Sequence, residues 1–256
     1  MFCIDNRCTD VHFHLAAEEY LLKQKRDNFF MLWQSAPSVV IGKHQSVQAE
    51  VDEEYLRQNG IALARRFSGG GAVYHDEGNI NLSFIETVER PDFEYYLQRT
   101  VDFLETMGID AYADKRMGIY VGGRKISGSA QCIHKNRVMY HCTLLYSTDL
   151  NKLNAALRGN SEEENWLPGS RKKVHAVPSV PSEVTNLSGL LSPAMSIKRF
   201  MRLLLHSFLE EAGNSIYRFT GEDLKAIECL RQQKYAGEEW ICLLYTSPSP
   251  RDSTSS

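Results

Sequence analysis

Three consecutive glycines, Gly69-Gly70-Gly71, stand between two extended runs, Ile61 to Arg66 and Ala72 to His75. A strand that runs into such a triplet has a bare main chain, so its N–H groups can turn sharply or come close to a ligand. Arg65 and Arg66 lie at the lip of this opening, and together the block Arg65 to Asp76 has the makings of a phosphate or carboxylate cradle. A flexible turn with solvated arginines is an equally weighted reading of the same residues. No Gly-Lys-Ser/Thr follows the glycines and their spacing is not Gly-x-Gly-x-x-Gly, which excludes a P-loop and a dinucleotide fingerprint.

The rest of the chain must cover this strand–loop–strand unit. Thr9 or Asp10 can cap a helix in which Phe13, Ala16, Ala17 and Tyr20 form one stripe, with Glu18 and Glu19 elsewhere on the wheel. Phe29 to Trp33 and Ser38 to Gly42 read as strands on either side of a Ser-Ala-Pro-Ser turn, and Asp52 to Asn59 as a short helix stopped by Gly60. Asn79 to Glu86 alternates, with Ile80, Leu82 and Phe84 opposite Asn81 and Ser83, and predicts a half-buried strand. Phe93 to Leu104 is a helical stripe ended by Gly108. Ile119 to Val121 and Arg124 to Ser127, joined by Gly122-Gly123, predict a hairpin. Val138 to Ser147 is a further strand, and Asp149 caps a helix through Leu157. Asn160 to Ser182 is a long loop rich in charge and proline, and Ser196 to Ala212 and Thr220 to Gln233 read as amphipathic helices. Hairpin-like groups of strands with helices between them, lacking a strict βαβ rhythm, predict an α+β (mixed α/β) class in one domain to about Trp240.

Strand alternation in Arg124-Lys125-Ile126-Ser127 sends Lys125 and Ser127 to one face and Arg124 and Ile126 to the other, so one cation can point inward. An inward lysine could stabilise charge during acyl transfer to phosphate, whereas an exposed, charge-decorated hairpin is the plainer reading. In Tyr140-His141-Cys142-Thr143 the Cys and His are strand neighbours and face opposite ways, so a buried inert thiol is favoured over a Cys–His nucleophile. His75 reads as a structural donor to the loop rather than a base. Cys3, Cys8, His12 and His14 lack a C-x-x-C pair, which makes a metal site there a remote reading.

A net charge of −3, from 29 Lys plus Arg against 32 Asp plus Glu, offers no global basic field for nucleic acid. No apolar run reaches the roughly 18 residues of a membrane span, and the first ten residues have no signal or transit pattern. The six irregularly spaced cysteines argue against a disulfide framework and for a reducing, cytoplasmic setting.

Several of these segments together resemble the lipoate-protein ligase and lipoyltransferase family, within the wider biotin and lipoate ligase superfamily. They are His14 to Glu19, Ser38 to Gln45, Arg65 to Asn79, Arg124 to Ala130, His141 to Leu145 and Val184 to Leu187. The resemblance implies a central, largely antiparallel sheet flanked by helices. It implies that lipoate and ATP, with Mg2+, give lipoyl-AMP and pyrophosphate, after which a lysine of a lipoyl carrier domain takes the lipoyl group. The carriers expected are those of 2-oxoacid dehydrogenase complexes and the glycine cleavage H protein, with neither nucleic acid nor membrane as a partner. Matched by motif, Lys125 is the catalytic residue and contacts the lipoyl carboxylate and α-phosphate. Arg66, the main chain of Gly71, Ala72, Val73 and Tyr74, and also Arg116 and Thr143, would hold the adenylate. Arg66, Ser68 and His75 would join Lys125 on the lipoyl side, with the dithiolane tail in an apolar pocket against the sheet. No metal ligands are assigned.

The chain departs from the family at Arg116-Met117-Gly118, where ligases that activate free lipoate carry Arg-Asn-Asp; Gly118 has no side chain for metal or ATP. His141 to Leu145 and Pro178 to Ser182 are more similar to the lipoyltransferase branch, so lipoyl transfer is expected and ATP-dependent adenylation stays open. Rival readings are a cysteine-dependent octanoyl or lipoyl transferase using Cys142, and a non-catalytic lipoyl-adenylate or carrier-binding module. The catalytic domain is expected over residues 1–241. Residues 242–256 read as a Ser/Pro-rich, non-native, disordered tail in place of the family's C-terminal accessory domain.

Overall fold

The computed structural model describes residues 1–157 and 177–242. Most of the expected 160–182 loop and all of the tail beyond Cys242 lie outside the described residues.

The chain opens with β1 (Phe2–Asn6), α1 (Val11–Gln24), β2 (Phe29–Trp33), β3 (Ser38–Ile41), α2 (Val47–Glu50), α3 (Glu53–Gln58), β4 (Ala62–Arg65), β5 (Val73–His75) and β6 (Asn79–Thr87). It continues through α4 (Phe93–Thr106), β7 (Tyr112–Ala113), β8 (Ile119–Val121), β9 (Arg124–Ser127), β10 (Ser129–His134), β11 (Arg137–Leu145) and α5 (Leu150–Ala156). Beyond residue 177 come α6 (Ile197–Leu209), β12 (Ser215–Ile216), α7 (Gly221–Leu230), a π turn at Arg231–Tyr235 and α8 (Glu238–Ile241).

Local chemistry sets these boundaries. Asp10 accepts from the N–H groups of His12 and Phe13 at the start of α1, Asp92 from Tyr95 at α4, and Thr220 and Asp223 form a reciprocal capping box at α7. The two-residue Gly122-Gly123 loop has φ of 55° and 80°, the left-handed pair that a type I′ hairpin requires.

A six-stranded sheet in the order β10-β11-β6-β2-β1-β12 organises the molecule; its β10-β11, β11-β6 and β2-β6 pairs are antiparallel, and β1 is parallel to both its neighbours. Two three-stranded sheets, β4-β3-β5 and β7-β8-β9, complete the frame. One face of the large sheet (Phe30, Leu82, Phe84, Tyr140, Leu144) packs on α4 and α6 through Tyr96, Leu104, Phe200 and Phe208. Phe84 is fully buried there, and truncating it to Ala should cost about 3–5 kcal/mol.

The opposite face carries α1, and this changes the reading of β6. The strand is buried on both faces rather than half-buried, because its polar side, Asn81 and Ser83, lies beneath α1. Glu18 and Glu19 are likewise buried, for α1 has the sheet on one side and α7 with its following turn on the other. A second departure is in β9. Ile119 pairs with Ser127 and Tyr120 with Lys125, so Ile126 is an extra residue and the alternation breaks. Ile126 and Ser127 are both buried while Arg124 is exposed. Such bulges redirect side chains, and this one directs Lys125 into a cavity.

Candidate active site

The cavity, about 380 Å³ in volume, lies where the three sheets meet; that is within the ordinary range for small-molecule sites. The glycine loop forms one wall. Gly70 has φ +90°, and a Cβ on Gly42 would lie 2.0 Å from the Gly70 carbonyl oxygen, so both positions require glycine for the loop to lie flat against β3.

Arg66 and Arg65, read as a pair, do different work. Arg66 is 4% exposed and donates from Nε to Ser68 Oγ at 3.1 Å, from Nη2 to the carbonyls of Gly69 at 2.6 Å and Gly71 at 2.7 Å, and from Nη1 to Val40 at 3.2 Å. It lines the cavity and braces the loop from behind, and burial lowers its pKa to about 10. Arg65 turns away: its guanidinium donates to the carbonyls of Gly42 at 2.9 Å, Gln45 at 2.7 Å and Ile241 at 2.7 Å. It ties α8 to the loop after β3 and faces no ligand.

Lys125 lines the cavity with Arg116 and Tyr120. Its main chain is held by Glu183 and Thr185, the Lys125 N–H donating to Glu183 O at 2.8 Å and Thr185 N–H to Lys125 O at 3.0 Å. Among the described residues its ammonium makes no ion pair. Burial lowers its pKa below the usual lysine range, Asp114 opposing and Arg116 adding to the effect. A half-buried cation facing a cavity of mixed polar and apolar lining can bind and stabilise an anion.

The residue that sequence reasoning missed is Glu18. Its carboxylate, 2% exposed, accepts from Ser83 Oγ at 2.6 Å and from His141 Nδ1 at 2.9 Å. His141 Nε2 in turn meets Ser68 Oγ at 2.8 Å, and Ser68 accepts from Arg66. Burial alone would raise the Glu18 pKa, yet His141 beside it and the Ser83 hydroxyl hold it below the ordinary value. A buried charged chain therefore runs from α1 through β11 to the glycine loop. Its signal was Ala16-Ala17, whose small side chains let α1 lie close to the sheet and shut Glu18 inside.

Of the other expected site residues, Gly71, Ala72, Val73, His75, Arg116 and Thr143 all line the same cavity. Ser68 is buried behind it and meets it through Arg66 and His141. Tyr74 sends its side chain into the separate cluster of β3, α2 and α3. The Ala72 N–H donates to Ser179 Oγ at 2.8 Å, and Thr143 Oγ1 accepts from Gly128 N–H at 3.2 Å. Cys142 is 3% exposed in the core against α4, and burial raises its thiol to about 12. Cys142 also touches the cavity wall, but a thiol held protonated by burial is a poor nucleophile. All six cysteines are free. Among the described residues no group of three or more His, Cys, Asp or Glu could hold a metal; this includes the remote Cys3–His14 set, in which Cys3 is core.

A family model described as "Lipoyl protein ligase A/B catalytic domain" matches residues 10–209. The chain belongs to this family. Lipoate–protein ligase 1 of Staphylococcus aureus is 34% identical over 244 residues, 93% of this chain and 72% of that protein. The human mitochondrial lipoyl amidotransferase is 40% identical over 186 residues, 70% of this chain and 47% of that protein. Among solved structures, lipoate-protein ligase A bound with ATP superposes with a TM-score of 0.77 at 26% identity, covering 95% of this chain and 99% of that one. All the cavity residues, from Leu15 to Ser182, fall inside the segment matched to the lipoyl protein ligase family, whereas the Arg65 clasp on Ile241 reaches outside it. No helix among the described residues is long and apolar enough to cross a membrane.

Proposed function

We propose that this protein attaches a lipoyl group, through lipoyl-AMP, to the acceptor lysine of a lipoyl carrier domain. The observation that carries the reading is Lys125. It is a half-buried ammonium without an ion-pair partner among the described residues, and it shares one cavity with the glycine loop and the apolar walls Leu15, Trp33 and Val40. A carboxylate at Lys125 would attack the α-phosphate of ATP, pyrophosphate would leave, and the ammonium would neutralise charge shared by the two anions. In the second half, a carrier lysine amine would add to the mixed anhydride carbonyl and lose its proton as AMP departs with the C–O bond pair.

Arg66 holds the glycine loop at its carbonyls, leaving the loop's cavity side and Arg116 for the nucleotide. Gly71, Ala72, Val73, Tyr74 and Thr143 complete the adenylate side, and Ser68 and His75 act on the lipoyl side. Mg2+ would enter with the nucleotide phosphates, and no step is assigned to it. The carriers proposed are those of 2-oxoacid dehydrogenases and the glycine cleavage H protein. The setting proposed is cytoplasmic, which the six free cysteines support.

A second reading, transfer of an already activated lipoyl group, is favoured by Gly118. A Cβ there would lie 3.0 Å from Tyr120 Cε2, 3.1 Å from Lys125 Cε and 3.3 Å from Asp114 Oδ1. A side chain at this position would need the ends of Lys125 and Tyr120 to give by a few tenths of an ångström, and with glycine there the site has no carboxylate at 118. Lipoate-dependent release of pyrophosphate from ATP supports the ligase; carrier labelling from lipoyl-AMP alone supports the transferase.

A further inference from the structure

Nearly every buried polar group around the cavity has its partner. Glu18, Ser83, His141, Ser68 and Arg66 satisfy one another or main-chain carbonyls, and Trp33 Nε1 donates to Ser83 Oγ at 3.0 Å. Two cavity-lining side chains stand outside this network. His75, 3% exposed, has neither ring nitrogen paired, and Asn81, also 3% exposed, has an unpaired Nδ2 among the described residues. An unmade hydrogen bond in a dry interior costs about 1–3 kcal/mol per group, and of the buried side chains with unpaired polar atoms among the described residues, His75 and Asn81 are the two that line the cavity, where a bound group could pair with them.

Their surroundings say what kind of group would fit. His75 sits edge-on to the Trp33 ring, with centroids 5.6 Å apart, and Leu15, Trp33 and Val40 supply apolar walls. The His75 imidazole is neutral, its pKa pushed down to about 3 by burial, with Arg66, His141 and His14 adding to the effect. It therefore offers one N–H donor and one acceptor, and Asn81 offers amide hydrogens. The charged groups near this part of the cavity are already engaged, Arg66 directing its N–H groups to Ser68 and main-chain carbonyls and Glu18 accepting from His141 and Ser83. The complement is an uncharged, largely apolar group with a weak, polarisable acceptor. A disulfide sulfur answers that description; a saturated alkyl end does not.

We infer that His75 and Asn81 read the dithiolane end of the substrate and set the preference of this site for a lipoyl over an octanoyl chain. The inference rests on the proposed lipoyl function and names the groups that select within it. Asn81 comes from β6 and His75 from β5, so the reader is built where the large sheet meets the second one, whereas Lys125 belongs to the third. Sulfur accepts hydrogen bonds weakly, so the effect is one of discrimination, not of total affinity.

The test is the dissociation constant of lipoate and of octanoate, by calorimetry, for the wild-type protein, Asn81→Leu and His75→Phe, each first checked by circular dichroism and thermal melting. The wild type should favour lipoate. Each variant should lose about tenfold in lipoate affinity while octanoate affinity changes less than threefold or improves, collapsing the ratio. A lipoate-to-octanoate ratio unchanged in a folded Asn81→Leu variant overturns the inference and assigns the two polar groups to ordered water. Should His75→Phe fail to fold, Asn81→Leu decides alone. If the wild type binds neither free acid, the same comparison is made with lipoyl-AMP and octanoyl-AMP, and a site that binds neither adenylate refutes the lipoyl function; if it binds both chains equally, only the selectivity inference falls.

Discussion

Lowering the pH from 7 to 5 should strip this protein of much of its stability before its carboxylates titrate. His14 and His75 are 0% and 3% exposed, and burial, the largest cause in each case, lowers their pKa to about 4 and about 3. Both are neutral in the folded state and recover an ordinary value near 6.5 on unfolding. The unfolded chain then binds more protons, so their contribution is full above pH ~6.5 and is lost as the pH falls toward the folded values. Between pH 7 and 5 each histidine accounts for about 2 kcal/mol, or roughly 4 kcal/mol together, by the linkage relation. Glu18 and Asp223, held low in the fold, add to the loss only at lower pH. Urea unfolding at pH 7, 6 and 5 and constant ionic strength reads the loss directly. His75→Phe, which keeps a ring of similar size and removes one titration, should about halve the slope. A stability that is flat from pH 7 to 5 would refute the claim that these imidazoles are buried and neutral, and with it the uncharged character of the cavity beside Trp33.

Three further outcomes follow from the same contacts. Glu18→Gln keeps the volume but loses a charged acceptor shared by Ser83 and His141; it should cost about 2 kcal/mol in chemical denaturation and slow transfer by loosening Ser68 and the glycine loop. Gly42→Ala places a methyl group 2.0 Å from the Gly70 carbonyl oxygen, so it should displace the loop and reduce carrier labelling at least tenfold, whereas a normal rate would show that the loop geometry is not needed. Cys142→Ser should retain most activity and form no acyl thioester, and a trapped thioester on Cys142 would restore the cysteine-nucleophile reading.

The elements whose ends carry their own chemistry were legible in the sequence. Asp10, Asp149 and Thr220 cap the helices as their side chains demand, and Gly60, Gly108 and the Gly122-Gly123 pair turn the chain where left-handed φ is needed. What stayed hidden depends on three-dimensional cover. Periodicity reports polarity, and polarity stands in for exposure only when one face meets water. The Asn81 and Ser83 side of β6 is polar yet buried because it floors a cavity beneath α1, and Glu18 escaped notice for the same reason. Lys125 was singled out by its motif, but its inward course depends on the extra residue at Ile126, which strict alternation cannot foresee. Arg65 and Arg66 look alike in sequence and diverge because adjacent residues of β4 and the following loop meet different carbonyls. The short β1 and β10 lacked caps or turn signals of their own, and tertiary pairing with β2 and β11 defines them.

The most direct test of the central claim is the intact mass of an apo lipoyl carrier domain after incubation with the full chain, lipoate, ATP and Mg2+, and in parallel with lipoyl-AMP. The account predicts the mass of one added lipoyl group, at the carrier lysine, in at least the lipoyl-AMP reaction, and none in either with Lys125→Ala. A carrier left unmodified by the wild-type protein in both reactions, or modified equally well by Lys125→Ala, would contradict it.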